Sequence, residues 1–297
     1  MVGVLSNGSL DTRRATFEAI HQGLAETGYF DGKNVLVDFR WAGDDYDRFP
    51  ELVADLVQRP VAVIVASGLN AARVAKRATA TIPIIFGVGD DPVKHGLAAS
   101  FNHPGGNATG VYILIAGLIA KRLSLLHELV PNADVIAVLI NPNDAQTATQ
   151  IAEIENASHT LGQRIEILNA GTEGDIEPAF ASLAKIGAKA LVLGVEQFFL
   201  SRRAYMVDLA ARYAIPTIYA LRAFVETGGL VSYGPDLAYG DRQLGIYTGK
   251  VLAGASPSDL PIIQTHKFEL VINLKTAKAL GLTVPLVLFG QADEVIE

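Results

Sequence analysis

Cysteine is absent from this chain of 297 residues, which excludes disulfides, thiolate metal sites and cysteine nucleophiles. No run of about eighteen apolar residues is present, so we expect no direct membrane insertion. The 24 Lys and Arg residues are outnumbered by 31 Asp and Glu residues, which gives a net charge of −7. Because the basic residues do not cluster, we expect no nucleic-acid partner.

Motifs of common active sites are also missing. The chain has no G-x-S-x-G nucleophile elbow, phosphate-binding loop, H-E-x-x-H zinc helix or G-x-G-x-x-G dinucleotide fingerprint. The fragment Gly87-Val88-Gly89 lacks the third glycine of that fingerprint and runs into Pro92. The six histidines show no metal-ligand spacing and stand at 21, 95, 103, 127, 159 and 266. We therefore expect no catalytic residue, metal or cofactor, and a protein that is not an enzyme.

Half of the residues are hydrophobic and 19% are charged, which is enough apolar material for substantial cores. Short apolar runs alternate with amphipathic segments, a pattern typical of parallel strands joined by covering helices. We expect Asp11 or Thr12 to cap the first helix, Asp175 a later one and Ser201 another. Strands are predicted at 2–6, 35–41 near a sheet edge, 61–66, 82–88, 135–140, 164–169, 190–194 and 217–220.

The two halves of the chain resemble each other at a nearly constant offset. Leu5-Ser6-Asn7 corresponds to Leu139-Ile140-Asn141, an offset of 134 residues. Thr81-Ile82-Pro83-Ile84 corresponds to Ala214-Ile215-Pro216-Thr217, an offset of 133 residues. The turn-rich segment 102–107 precedes the point where the alternation begins again, so we place a lobe boundary near Gly110. The repeat predicts two similar α/β lobes.

Polar and turn-forming residues follow the predicted strands in both halves. Open parallel sheets bind ligands at the carboxyl ends of their strands, and two sets of such ends facing each other would line one cleft between the lobes. The candidate ligand-binding residues at these positions are Ser6, Asn7, Ser9, Ser67, Gly68, Asn70, Asp90, Asn141 and Glu196.

The Asp90-Asp91 pair has several interpretations. Asp91 is followed by Pro92, which suits the cap of a helix that begins at the proline. One of the two carboxylates is a candidate contact for a ligand amine. A role in acid–base catalysis or cation binding is the remaining alternative.

Many segments of the chain resemble one family of proteins when they are taken together in order and spacing. In the first half these are Gly28-Tyr29, Gly32-Lys33-Asn34-Val35, Gly89-Asp90-Asp91-Pro92-Val93, the segment 102–110, Lys121-Arg122-Leu123 and Glu128-Leu129-Val130-Pro131. In the second half they are Asn141-Pro142-Asn143, Phe198-Phe199, Ser201-Arg202-Arg203, the segment 228–235 and the segment 267–277. Over nearly the whole chain, the sequence resembles the substrate-binding proteins of bacterial ABC transporters, including tryptophan-type binding proteins.

This resemblance implies a type I periplasmic binding protein fold, in which two doubly wound parallel-sheet lobes are joined by a three-segment hinge. We place the hinge near Gly110, at Tyr233-Gly234 and near Ile262. The first lobe would then comprise 1–110 plus 236–262, and the second lobe 111–235 plus 263–297. Similar proteins capture a small molecule by lobe closure and deliver it to ABC permease membrane subunits.

The resemblance also implies an amino-acid ligand, aromatic or hydrophobic, or a related carboxylate. Hydroxyl and N–H donors for the carboxylate would come from Ser6, Ser9, Ser67 and Asn70, and the acceptor for the amine would be Asp90 or Glu196. The candidate aromatic walls are Tyr112, Phe198, Tyr219 and Tyr233, each of which suits a core position equally, whereas Phe199 suits the core better. The chain has Leu69-Asn70-Ala71 where the family commonly has a Thr-Pro-Ala type loop, which leaves selectivity open.

Two other functions use the same scaffold. The effector core of a sugar-repressor-type regulator would carry a helix-turn-helix at its start, whereas this sequence opens directly on an apolar strand. An enzyme would need a nucleophile, base or metal constellation. The resemblance implies a monomer in the periplasm whose signal peptide is absent from this sequence, and a cytoplasmic protein is the alternative.

Overall fold

The computed structural model describes residues 1–10 and 12–297, and all of their side chains except that of Ala116. Residues 1–114 form β1 (Val2–Ser6), α1 (Arg14–Glu26), β2 (Val37–Trp41), α2 (Phe49–Val57), β3 (Val63–Ser67), α3 (Leu69–Ala78), β4 (Ile84–Val88) and β5 (Ala108–Tyr112). Residues 115–236 form α4 (Ile119–Leu129), β6 (Val135–Ile140), α5 (Thr147–Leu161), β7 (Arg164–Asn169), α6 (Glu173–Ile186), β8 (Ala190–Leu193), α7 (Gln197–Ser201), α8 (Arg203–Arg212), β9 (Thr217–Tyr219), α9 (Arg222–Glu226) and β10 (Val231–Pro235). Residues 237–297 form α10 (Leu237–Leu252), β11 (Ile263–Gln264), β12 (Phe268–Asn273), α11 (Leu274–Ala279), α12 (Leu286–Gln291) and β13 (Glu294–Ile296).

The chain divides into two compact units. Unit 1 comprises Met1–Leu114 and Leu237–His266, and unit 2 comprises Ile115–Asp236 and Lys267–Glu297. The expected lobe ends at 110 and 262 each lie four residues before the ends of the corresponding segments of unit 1, at 114 and 266. The chain therefore passes from one unit to the other three times.

Unit 1 is built on a six-stranded sheet in the order β11-β5-β4-β3-β1-β2, whose neighbouring strands are all parallel. The central strands β1, β3 and β4 are buried throughout, as their continuous apolar runs predict. The half-buried β2 forms one edge of the sheet, as its alternating sequence predicts.

Helix α10 returns to unit 1 and packs on α1 through glycines. A Cβ atom at Gly23 would stand 2.0 Å from the carbonyl oxygen of Arg242, and one at Gly245 would stand 2.1 Å from that of Ile20. Only glycine permits this approach of two helix backbones. Side chains of α10 thereby reach the sheet of unit 1. In the sequence, α10 is separated from the rest of that unit by residues 115–236 of unit 2.

Strand β5 was not predicted, because the turn-forming segment before it indicated only a boundary. It pairs with β4 along its full length. A Cβ atom at Gly110, inside β5, would stand 1.9 Å from the carbonyl oxygen of Phe86. Gly110, near which we place the lobe boundary, therefore lies inside a strand and allows β5 to pair closely with β4.

Unit 2 contains a seven-stranded sheet in the order β13-β12-β10-β9-β8-β6-β7. The β10–β12 pair is antiparallel, and the other neighbours are parallel. Its core combines the buried faces of α4 and α5 with β6 and β8. The predicted strands 135–140 and 164–169 coincide with β6 and β7.

The expected role of Asp175 at the start of α6 is confirmed, since its carboxylate accepts the N–H of Thr172 at 2.8 Å, whereas α1 and α8 have no side-chain cap. Asp11 lies outside the described residues, Thr12 bonds to Ser9 instead, and α1 begins without a side-chain cap. Helix α6 is capped by Thr172, with Asp175 as the N3 member of a capping box. Ser201 ends α7 rather than starting α8.

The Asp91 side chain forms the hydrogen bonds of a helix N-cap, but no helix follows it. Its carboxylate accepts hydrogen bonds from the N–H groups of Val93 at 2.8 Å and Lys94 at 3.3 Å. The residues that follow form a turn that ends before Leu97, not the expected helix.

Among the described residues, no helix is both long enough and apolar enough to cross a membrane.

Candidate functional site

The carboxyl ends of β1, β3 and β4 bring several predicted residues to one edge of the unit 1 sheet. These strands are adjacent and parallel, so residues that follow them in sequence become spatial neighbours. Ser6, Asn7, Ser67 and Asp90 all lie there and are all at most 5% exposed. Polar groups buried to this degree must be satisfied by the protein or by a ligand.

A buried arginine that the sequence analysis missed stands beside them. Arg13 is 5% exposed, and its Nη2 donates a hydrogen bond of 3.4 Å to Ser67 Oγ. Burial lowers the pKa of Arg13, and the carboxylates of Asp241 and Asp44 act in the opposite direction. Asn7 Nδ2 donates to Asp44 Oδ1 at 3.2 Å. The edge is therefore an electrostatic cluster in which two carboxylates surround one guanidinium.

Two atoms of this cluster lack a partner in the described part of the chain. Asn7 Oδ1 and Arg13 Nε are buried, and neither forms a hydrogen bond there. The first is an acceptor and the second a donor. The interior of this edge therefore contains, within the described part of the chain, one unpaired acceptor and one unpaired donor.

Asp90 is held in a defined orientation by its neighbours. Its Oδ2 lies 2.7 Å from His95 Nε2, and its Oδ1 accepts the N–H of Asp91 at 2.7 Å. The side chain is 3% exposed. These two contacts fix the orientation of the buried carboxylate.

The other predicted residues of unit 1 are placed less favourably. Ser9 is exposed and its hydroxyl lies 3.4 Å from that of Thr12. The N–H of Gly68 donates to the carbonyl of Gly87, so it is not an open anion donor. Asn70 is half-buried in the first turn of α3. Tyr112 is half-buried at the carboxyl end of β5, with its ring 5.8 Å from that of Phe101.

In unit 2, the carboxyl ends of the neighbouring strands β6 and β8 bring Asn141 and Glu196 to one edge. Asn141 is 3% exposed, and its Oδ1 accepts the N–H of Asn143 at 2.9 Å. Glu196 is 7% exposed and caps α7 by accepting the N–H of Phe199 at 3.2 Å. Both side chains are thereby oriented by local backbone.

Gln150 is a second residue that the sequence analysis missed. It is 1% exposed, its Nε2 donates to the carbonyl of Val195 at 3.1 Å, and its Oε1 accepts the N–H of Val195 at 3.0 Å. This double hydrogen bond fixes the backbone directly before Glu196. A glutamine near the start of a helix carries no local signal of that role.

The aromatic candidates of unit 2 divide into two groups. Phe198 is 5% exposed and carries the guanidinium of Arg202 4.0 Å from its ring centre, while Tyr233 is half-buried at β10. Tyr219 instead stacks on Phe224 with ring centres 4.7 Å apart and is 1% exposed. Burial raises the pKa of the Tyr219 phenol. The Tyr219 ring therefore lies in the core, which was one of its two expected positions. Phe199 is fully buried and also lies in the core.

Arg122 is the largest fully buried side chain of the described residues. Its Nη2 donates to the carbonyl of Ile115 at 3.2 Å and its Nη1 to that of Tyr233 at 3.4 Å. Burial lowers its pKa to about 9. Since Ile115 and Tyr233 stand close to two of the points where the chain changes unit, Arg122 holds the unit 2 ends of both connections together.

These two edges supply hydrogen-bond donors, acceptors, fixed charges and aromatic surface. No group of three His, Asp or Glu side chains within residues 1–10 and 12–297 is placed to hold a metal ion. The arrangement is suited to recognising a polar solute by hydrogen bonds and charge.

Known proteins resemble this chain over its full length. Residues 1–296 match the family described as ABC transporter substrate binding protein. A tyrosine-binding protein of Clostridioides difficile is 29% identical over 283 residues, which cover 94% of this chain and 79% of that protein.

Two solved structures share its architecture. A conserved domain protein of Vibrio cholerae matches with a TM-score of 0.91 and 26% identity over 99% of this chain and 98% of the other. An ABC domain from Streptococcus pneumoniae in complex with L-Trp matches with a TM-score of 0.90 and 27% identity over 99% of both chains. The expected type I periplasmic binding protein fold is confirmed, and the chain belongs to the family of ABC transporter substrate-binding proteins.

Proposed function

We propose that this solute receptor of an ABC importer binds an amino acid with an aromatic or hydrophobic side chain through residues at the carboxyl edges of its two sheets. The likeness of the whole chain to a relative whose structure holds L-Trp carries the proposal. The relative named for tyrosine binding supports the same ligand class.

The charges at the edge of unit 1 suit the ammonium group of such a ligand. The carboxylates of Asp44 and Asp241 act on the guanidinium of Arg13, and the buried carboxylate of Asp90 follows β4 at the same edge of the sheet. Charge-assisted hydrogen bonds are stronger than neutral ones, and a buried carboxylate gains most from a cationic partner. We assign the amine contact to Asp90, with Ser6, Ser67 and Asn70 as donors for the ligand carboxylate.

The aromatic surface of unit 2 suits the ligand side chain. Phe198 presents a ring whose orientation is fixed by Arg202, which also forms an ion pair of 2.9 Å with Glu173. Tyr233 has its backbone held by Arg122. Rings held in this way add about 0.5–1.5 kcal/mol to the binding of another ring beyond the area they bury. Asn141 and Glu196 supply the polar contacts on this side.

Ligand capture can be tested with the purified protein. Native mass spectrometry identifies any solute retained from expression, and a thermal-shift screen then compares amino acids, aromatic acids and sugars. A ligand at about a hundred times its Kd adds roughly 2.7 kcal/mol of stability. We expect aromatic amino acids to stabilise the protein most, whereas stabilisation by sugars alone would refute the proposal.

Partners and location follow from the same function. The family supplies ABC transporters with solute outside the cytoplasmic membrane, and we propose that this protein acts in the periplasm as a monomer that docks on the permease subunits. Sedimentation of the ligand-bound protein tests the monomer. A dimer at micromolar concentration would overturn it.

We also propose that the bound solute is released unchanged. The family match favours a receptor over the effector core of a regulator. Chromatographic analysis of the solute after prolonged incubation separates binding from catalysis. Recovery of unaltered solute is the expected result, and conversion to a product would make the protein an enzyme.

A further inference from the structure

A small cavity lies in unit 2 and shares only Tyr219 with the candidate ligand-binding residues. Its volume is about 110 Å³, and it is lined by the end of α8, the start of β9, the loop 228–230 and the end of α11. The end of α8 and the loop 228–230 precede the parallel strands β9 and β10, and α11 follows β12, which is antiparallel to β10. The cavity therefore stands at the amino edge of the sheet, opposite to the carboxyl edge where Asn141 and Glu196 lie.

Small side chains leave this space unfilled. Ala210, Ala211 and Ala214 line it from α8 and the following turn. Gly229 cannot be enlarged, because a Cβ atom there would stand 2.7 Å from the Tyr219 ring and 2.8 Å from the carbonyl oxygen of Phe224. Close packing is the rule in protein interiors, so a void of this volume beside a buried tyrosine is a distinct feature of the unit.

The interior of the cavity is apolar. Its deep wall is formed by the Tyr219 ring and by Leu230, which are 1% and 2% exposed. The polar groups along it are already engaged, since Thr217 Oγ1 donates to the carbonyl of Ile215 at 2.9 Å and Thr276 Oγ1 donates to that of Gly228 at 2.8 Å. Water needs two to four polar partners to occupy a cavity, and an apolar cavity of similar size is known to stay dry and to accept benzene.

We propose that this cavity binds one small apolar aromatic molecule of about a single ring, at a site independent of the solute site. The volume limits the ligand to roughly the size of benzene or toluene. The flat Tyr219 ring provides a stacking surface, and Ala211, Ala214 and Ala279 at the exposed rim provide a short path from solvent.

Benzene is the probe for the test. Two-dimensional NMR of the full chain would follow the methyl groups of Ala210 and Ala214 during titration, with and without a saturating amino acid. We expect saturable ring-current shifts at these methyls under both conditions. The variant Ala210→Leu fills the cavity and should weaken benzene binding by at least about tenfold.

The matched control is Ala204→Leu, an exposed position of the same helix α8 outside the cavity. It should leave benzene binding unchanged. The proposal is overturned if benzene causes no saturable shift at these methyls, or if Ala210→Leu binds benzene as the unchanged chain does. The same variants are also titrated with an amino acid. Because benzene binding does not depend on amino-acid binding, a failure of the proposed function can be distinguished from a failure of the cavity proposal.

Discussion

The carboxyl edges of the two sheets are built from different chemistry. In unit 1 the buried polar side chains include Arg13, Asp90 and Asp241, which are charged groups. In unit 2 they include the amides of Asn141 and Gln150 and the carboxylates of Asp144 and Glu196. The edge of unit 1 thus combines a buried guanidinium with carboxylates, whereas the edge of unit 2 combines amides with carboxylates. We infer that unit 1 recognises the charged end of the solute and that unit 2 recognises its side chain.

Asp241→Asn tests this contrast most severely, because it removes a charge from the edge of unit 1. Arg13 would then be buried with Asp44 as its remaining carboxylate neighbour, and loss of one member of a buried charge set costs about 3 kcal/mol. We expect urea unfolding to show a fall of that order in the free energy of unfolding. Asp259→Asn, an exposed site in the same unit, should change it by less than about 0.5 kcal/mol.

Asp90→Asn addresses recognition rather than stability. If the carboxylate accepts the ligand amine, its loss should weaken amino-acid binding by about 1.5–3 kcal/mol. Calorimetric titration measures the change, and Asp91→Asn next to it serves as the control. Unchanged affinity would remove Asp90 from the site and leave it a structural partner of His95.

Phe198→Leu tests the proposal that the Phe198 ring of unit 2 contacts the aromatic side chain of the ligand. We expect L-Trp to lose about 1 kcal/mol of binding free energy while L-Leu is little affected, because ring–ring contact adds about that amount. Competition titrations give the ratio directly. Phe199→Leu, at a fully buried neighbour, should lower stability and leave the ratio unchanged. An equal loss for both ligands in Phe198→Leu would contradict the assignment.

The smallest effect concerns Asp175 at the start of α6. Hydrogen bonds from the Thr172 side chain and backbone lower the pKa of this carboxyl. Since the pKa is lower in the folded state than in the unfolded chain, its stabilisation is present above the unfolded pKa and is lost as the pH falls through the folded pKa. Asp175→Asn should therefore flatten the acid side of the stability profile slightly. An unaltered profile would show that the capping box does not contribute.

The strands β1 to β4 and β6 to β9 were predicted from local sequence, whereas β10 to β13 were not. The strands at Val2–Ser6 and Val135–Ile140 match their predicted bounds, while β2, β3 and β4 begin two residues later than predicted. Strand β5 escaped notice because its pairing depends on the close approach of Gly110 to Phe86. That approach is a tertiary contact, which local patterns do not encode.

The site was predictable only in part for the same reason. Residues directly after strands, such as Ser67 and Asp90, were found because the parallel sheet places them at one edge. Arg13 depends on Asp241, which reaches unit 1 through the return of α10. Arg122 acts on carbonyl groups of two separate segments. The one available signal was the family segment Lys121-Arg122-Leu123, which marks the residue without giving its role.

Calorimetric titration of the purified protein with L-tyrosine and L-tryptophan, and with analogues lacking the amine, tests the central claim most directly. We expect saturable binding of one amino acid per chain and a large loss of affinity for the analogues, because the carboxylates at the edge of unit 1 would lose their cationic partner. Equal binding of amino acid and analogue, or no binding of either at millimolar concentration, would contradict it.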